Sequence, residues 1–309
     1  MLQLMKNSFY VFLAACSFGI LSSIVKLAYQ QGFTFQEVTL GQFGSGWLIM
    51  LILMLIFSRK KVKLGPFIRL AGVGACTCLT GVFYYLSLQS IPASIAVVLL
   101  FQFTWIGVVI EVITTRQRPS KATVISILLL LLGTVLAGGV IGANPMELSV
   151  QGVFLGLMAA VMMALFIFFS GRVETAMPTI SRSFFTSTGS LLLLLLLHVT
   201  MYGPSAVLQV SLENGLWIYG LILGIFGVVI PVLLLALGAP KISIGLASIL
   251  SAGELPVAIL ASIFVLNERV SALQWIGITV ILIGIAYPQV AGRKRQEESG
   301  ANPIESYSS

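Results

Sequence analysis

Along this chain apolar residues do not alternate with polar ones. They run on for about twenty positions at a time and stop at short clusters of charge, proline or glycine. Runs such as Leu191 to Leu197, all leucine, lack the period-two pattern of barrel strands. They fit helices, whose backbone groups are satisfied within one segment. Twenty helical residues rise about 30 Å, the thickness of a bilayer's hydrocarbon layer. Cutting the chain at its interruptions predicts ten spans: 8–29, 37–57, 66–89, 94–114, 122–141, 151–171, 183–203, 215–237, 243–266 and 272–290. The expected fold is therefore an all-α integral membrane protein with ten transmembrane helices. The first span is read as uncleaved: "LAAC" (Leu13 to Cys16) looks like a lipoprotein cleavage box, but the apolar run continues well past it and only Lys6 forms a basic region before it.

Composition agrees. Hydrophobic residues make up 58% of the 309 and charged residues 9%, against roughly 45–50% and ~25% in soluble domains. The net charge of +7 does not point to nucleic acid, because the basic residues lie in loops rather than on a soluble face. With the N-terminus placed in the cytoplasm, fifteen of the seventeen basic residues fall on that side: Lys6; Arg59, Lys60, Lys61, Lys63 and Arg69; Arg116, Arg118 and Lys121; Arg172 and Arg182; Lys241; and Arg293, Lys294 and Arg295. Lys26 and Arg269 fall on the other. This is the positive-inside pattern, and it predicts a plasma-membrane protein with both termini cytoplasmic. The tail from 291 to 309, rich in charge and serine, reads as disordered.

Fold symmetry is legible too. "SIAVVLLFQFTWIGVVIEVITTRQRPSKATVISILLLLLGTVLAG" and "SIGLASILSAGELPVAILASIFVLNERVSALQWIGITVILIGIAYP" each begin Ser-Ile-small. Each carries a polar residue near mid-span, turns at Arg-x-Ser and closes in a glycine-containing apolar helix. The chain divides into halves, 1–143 and 144–290, joined near Asn144-Pro145. Five spans per half is odd, so the halves are expected to be inverted repeats, an arrangement that in secondary transporters places a site at the midplane between them.

The segment "ELPVAILASIFVLNERVSALQWIGITVILIGI" resembles the end of an EamA domain of the drug/metabolite transporter superfamily. Asn267-Glu268-Arg269 stands at its turn and Gly277 and Gly284 supply the helix glycines. In the first half Gln117 replaces the turn glutamate, and Gln102-Phe-Thr-Trp replaces the Glu-x-Pro stretch. The resemblance covers nearly the whole chain and implies a ten-helix exporter or exchanger of small metabolites.

Chemistry-bearing residues are few. Asp is absent, and Cys16, Cys76 and Cys78 lie in apolar runs, so neither a disulfide framework, a metal cluster nor a cofactor is expected. There is no Gly-Lys dipeptide to hold phosphate, no His-Glu-x-x-His and no Gly-x-Ser-x-Gly, so an enzyme is not expected. Glu254 is the sharpest candidate. About eleven residues separate it from either end of its span, and a mid-membrane carboxylate costs ~2.5–3.5 kcal/mol unless it faces a polar cavity or a partner. It is the candidate for substrate binding or proton coupling, against the reading of a protonated Glu tying two helices. Ser251 shares its predicted face. Gln102 and Trp105, three apart on the fourth span, form a second candidate pair for an amphipathic substrate, against helix tying and lipid contact. Tyr84, with Tyr85, and Lys26 complete the substrate candidates, although tyrosine belts and snorkelling lysines explain them equally. Pro231 and Pro256 are candidate kinks. Glu111 reads as a surface partner of Arg116, and His198 as an interfacial, hydrogen-bonded histidine.

The expectation is a secondary active exporter of a small amphipathic, amino-acid-like metabolite, working by alternating access with proton coupling, and partnered only by substrate and membrane lipid. Oligomeric state is not legible. A non-transporting receptor or assembly protein, and a lipid-headgroup translocator, are the rival readings.

Overall fold

The computed structural model describes residues 2–58, 64–88, 90–91, 93–137, 149–203, 215–267 and 270–298. The basic cluster Arg59–Lys63, the junction at Asn144-Pro145, the turn residues Glu268 and Arg269 and the end of the tail lie outside them. Among the described residues the chain is helical throughout. Its elements are α1 (Leu2–Gln30), α2 (Phe35–Phe57), α3 (Leu64–Leu88), α4 (Ala93–Leu100), α5 (Phe103–Thr115), α6 (Lys121–Ala137), α7 (Val150–Ser170), α8 (Thr179–Tyr202), α9 (Leu216–Gly224), α10 (Ile230–Gly238), α11 (Ile244–Ser251), α12 (Glu254–Leu266) and α13 (Ala272–Glu298). A π-helical turn, Ile225–Val229, joins α9 to α10.

Among the described residues eight segments are long and apolar enough to cross a membrane: Gln3–Gln30, Phe35–Phe57, Leu64–Ser87, Ile95–Thr115, Val150–Ser170, Thr179–Tyr202, Leu216–Lys241 and Ile244–Leu266. Lys121–Ala137 and Ala272–Pro288 are apolar but shorter. Each overlaps a span drawn from the sequence, eight of them at membrane-crossing length. α13 (Ala272–Glu298) runs past the end of the last span drawn from the sequence.

Local chemistry sets the helix ends. Thr34 and Glu37 form a capping box at α2, each bonding the other's backbone N–H. Ser149 caps α7 and Ser243 caps α11. Arg116 (φ 57°) and Asn267 (φ 54°) end α5 and α12 in the same left-handed conformation.

The principal helix pairings survive exchange of the two halves. α1 packs on α10 and α12, as α7 packs on α3 and α5. α2 packs on α9, as α8 packs on α3, while α2–α8 and α6–α13 are each their own image. Glycine makes these contacts close, because lipid offers no hydrophobic drive between helices and packing must supply it. A Cβ on Gly277 would overlap the backbone of Ala137, and one on Gly189 the backbone of Ala71. Serines then bond carbonyls of the facing helix: Ser190 Oγ to Gly74 O (2.8 Å), Ser126 Oγ to Gly284 O and Ser45 Oγ to Gly220 O.

At the end where the chain begins, Arg69 pairs with Glu174, Ser58 meets Ser181 (2.7 Å), and buried Arg182 donates to Ser170 O at the C-terminus of α7, a favourable place for a cation. At the other end Phe33 packs on Tyr219 and Phe35 on Tyr85. His198 is buried there, with Nε2 3.3 Å from Thr39 Oγ1 and Nδ1 3.0 Å from Leu194 O.

Gly189→Ala therefore forces α3 and α8 apart and is expected to destabilise the protein by ~1–3 kcal/mol, the usual cost of overpacking. Gly72→Ala, on the facing helix α3 but with open space around it, is expected to be neutral. Thermal unfolding in detergent distinguishes the two variants.

Candidate functional site

Two helices are interrupted at matching places. The fourth span consists of eight helical residues, a turn at Phe101-Gln102 and thirteen more; the ninth consists of eight, a turn at Ala252-Gly253 and thirteen more. In the ninth span Pro256 explains the break. It has no N–H to return to Ala252 O and its ring crowds that carbonyl, so Gly253 N turns to Leu250 O and Leu255 N to Ala252 O. Pro256 then sits in the first turn of α12, where the missing donor costs nothing. In the fourth span polar side chains do the same work: Gln102 Nε2 takes Val98 O (2.9 Å) and Thr104 Oγ1 takes Phe101 O (2.9 Å). Pro231 follows the π-helical turn, whose Phe226 carbonyl is taken by Ser17 Oγ at 2.6 Å.

These interruptions surround a cavity of about 130 Å³, large against the ~10–15 Å³ that one water needs. Its walls come from α1 (Phe18, Leu21, Ser22), α2 (Gln42, Phe43), α3 (Thr77, Thr80, Gly81, Tyr84, Tyr85), α4 and its turn (Val97, Leu100, Phe101), Met163, Gly227 and α12 (Glu254, Leu255, Ala258). Glu254, the first residue of α12, is half-buried and faces this space. Gly19 allows α1 to lie against the Glu254 carbonyl, which fixes the start of α12. Tyr84 and Tyr85 share the cavity lining with Glu254.

Of the residues singled out from the sequence, Glu254, Tyr84 and Tyr85 thus meet at one cavity. The others do not join them. Gln102 and Trp105 bond each other (Nε1 to Oε1, 2.8 Å), and Trp105 is 39% exposed on the outside of the bundle. Ser251 is buried and donates to Ala247 O within its own helix. Lys26 lies exposed on α1, outside the cavity lining. Ser251 ends α11 and Glu254 begins α12, with the Ala252-Gly253 turn between them, and Glu254 but not Ser251 lines the cavity. Glu111 does not serve as a surface partner of Arg116: its Oε2 accepts from Gly245 N at 2.7 Å, at the start of α11 in the other half.

Residues that the sequence reading passed over complete the lining. Gln42 is 5% exposed, and its Oε1, like Thr77 Oγ1, is buried without a hydrogen-bond partner among the described residues. A glutamine inside a predicted span was the available signal. Gly227 has no Cβ, and one there would collide with the Gln42 amide. No group of His, Cys, Asp and Glu able to hold a metal ion occurs among the described residues.

A solved crystal structure superposes on 93% of this chain and 97% of its own with a TM-score of 0.77, at 19% sequence identity, so the fold is one already seen in a crystal. No curated protein matches the chain. The model of the EamA-like transporter family matches twice, over residues 5–139 and 150–287. Those two stretches are the two halves described above, and the chain belongs to the EamA-like transporter family.

Proposed function

We propose that the protein is a secondary active transporter of ten crossings in two inverted halves, lying in the plasma membrane with both termini cytoplasmic. It exports a small amphipathic metabolite carrying an amine by alternating access. Glu254 binds the amine or a proton in competition, so loading one releases the other.

One observation carries this reading: the interrupted helices are closed on one side of the cavity and parted on the other. Towards the end where the chain begins, α5 packs along α11. A Cβ on Gly107 would overlap Ser248 Oγ, and Glu111 reaches Gly245 N. Exchange of the halves maps Gly107 to Ala258 and Ser248 to Val97. Both of those residues line the cavity instead of touching tightly, and α4 and α12 form no comparable interface. The same pattern holds next door, where Ser183 Oγ bonds Val232 O between α8 and α10 (3.4 Å) while the matching α2 and α3 part around the cavity. Swapping the two arrangements yields the opposite-facing state from contacts the fold already uses. A site that contacts no phosphate loop and draws on one carboxylate fits an ion or substrate gradient as energy source.

Locking the parted pair tests the cycle. In a background without Cys16, Cys76 and Cys78, Val97→Cys with Ala258→Cys is expected to form a disulfide on oxidation during turnover. Flux of amines and amino acids in proteoliposomes should then stop and return on reduction; undiminished flux in the cross-linked protein would contradict alternating access through this cavity.

Coupling is read separately. Tyr84 and Tyr85 are the titratable neighbours of Glu254. Glu254→Gln removes the charge that both ligands share and is expected to lower amine flux about tenfold or more. It should also abolish acceleration of flux by an imposed pH gradient. Retained gradient dependence would remove the carboxylate from any coupling role.

A further inference from the structure

We infer that the cavity selects amphipathic monoamines, cations with an apolar body and no carboxylate, over zwitterionic amino acids. The inference rests on the reading of this cavity as a substrate site and narrows its substrate class.

Its lining is one-sided in charge. Glu254 is the ionisable acid, and no Lys, Arg or His lines the cavity among the described residues. Two polar groups are left over without partners: Gln42 Oε1, an acceptor, and the Thr77 hydroxyl, which accepts or donates, are buried and bond nothing among the described residues. A buried acceptor left without a donor costs about 1–3 kcal/mol. An ammonium brings three donors, enough for the Glu254 carboxylate, the Gln42 carbonyl and the Thr77 hydroxyl together. The rest of the wall suits an apolar body, with Phe18, Phe43, Phe101, Leu21, Leu100 and Met163 around it. Aromatic faces attract cations and tolerate hydrocarbon, but they do not solvate a carboxylate.

A zwitterion meets a different balance. Its ammonium finds the same acceptors, but its carboxylate enters a space with no cation to neutralise it and with Glu254 nearby. Neutral hydroxyls of Thr80, Tyr84 and Tyr85 replace only part of the lost hydration. The basic side chains located on this protein stand elsewhere: Arg182 is committed to the carbonyl end of α7, and Arg69 to Glu174. Gln42 is thus a specificity-determining residue, seated by Gly227, which leaves room for its amide.

Three probes of one skeleton isolate the charge: 2-phenylethylamine, phenylalanine and 3-phenylpropionate. Titrated by calorimetry into the purified full-length protein, the amine is expected to bind at least about tenfold more tightly than phenylalanine, and the propionate not measurably. Gln42→Leu and, separately, Thr77→Val should each weaken the amine ~5- to 10-fold, while Trp105→Phe, outside the cavity, leaves its affinity unchanged. Equal or tighter binding of phenylalanine, binding of the propionate, or binding of none of the three overturns the inference, as does full amine affinity in both folded cavity variants. Flux of 2-phenylethylamine through proteoliposomes is measured beside it. Binding without movement leaves the selectivity intact and sinks the transport reading instead.

Discussion

Inside a bilayer every backbone N–H and C=O has to find a partner within the protein, because lipid supplies none. The structure obeys this constraint along most of its length and relaxes it at three places that converge: the turns in the fourth and ninth spans and the π-helical turn in the eighth. At each, the freed carbonyls are taken up locally, by Gln102 and Thr104, by tightened backbone bonds around Ala252-Gly253, and by Ser17. What is not taken up sits at the cavity, where Gln42 and Thr77 keep unpartnered acceptors and Glu254 its carboxylate. The polar hollow and the broken helices are therefore one feature. A mid-span charge is tolerable because interruption leaves room around it, and interruption is tolerable because protein rather than lipid surrounds it.

The two halves share lengths but not chemistry. Eight, two and thirteen residues recur in both interrupted spans, and both end in a left-handed residue. Yet where the second half places Glu254, the first places Phe103, a fully buried side chain. The duplicated frame thus supplies two equivalent gaps, and one carries the carboxylate. On the transport reading, a single carboxylate allows one exchange of cation for proton per cycle, which keeps competition between the two ligands strict.

Much of this was legible before any coordinates. Span positions followed from the length of apolar runs, a signal set by membrane thickness and so insensitive to packing detail. Glu254 stood out because an isolated mid-span charge has few inexpensive explanations, and Pro256 marked the break beside it. Other features were hidden for physical reasons. The fourth span has no proline, and its break depends on which carbonyls Gln102 and Thr104 choose, which periodicity does not encode. Gln102 and Trp105 bond each other and the backbone of their own span instead of lining the cavity. Glu111 was assigned to the nearest cation in sequence, whereas the nearest donor in space is the start of a helix 134 residues away. Gln42 drew no notice because a lone glutamine in a helix normally finds a neighbour; here the neighbour is a hollow.

The two ends of the interrupted helices are not chemically equal, and on the transport reading this bears on how a cycle is driven. The closed side depends on Gly107, which has no side chain to hold off Ser248, and on a carboxylate at a helix N-terminus. Its counterparts on the parted side are Ala258 and Val97, whose added methyl groups keep the helices farther apart when they meet, and Ser262, which bonds Ile259 O within its own helix. On the alternating-access reading, packing alone then favours the arrangement seen here over its mirror state. A ligand moves such an equilibrium only by its differential affinity for the two states, so occupation of the Glu254 cavity has to stabilise the closed outer arrangement by more than the packing difference. The cavity can do this if its walls close on the ligand. Val97 and Ala258 line it now, and their approach would bring apolar surface onto whatever the carboxylate holds.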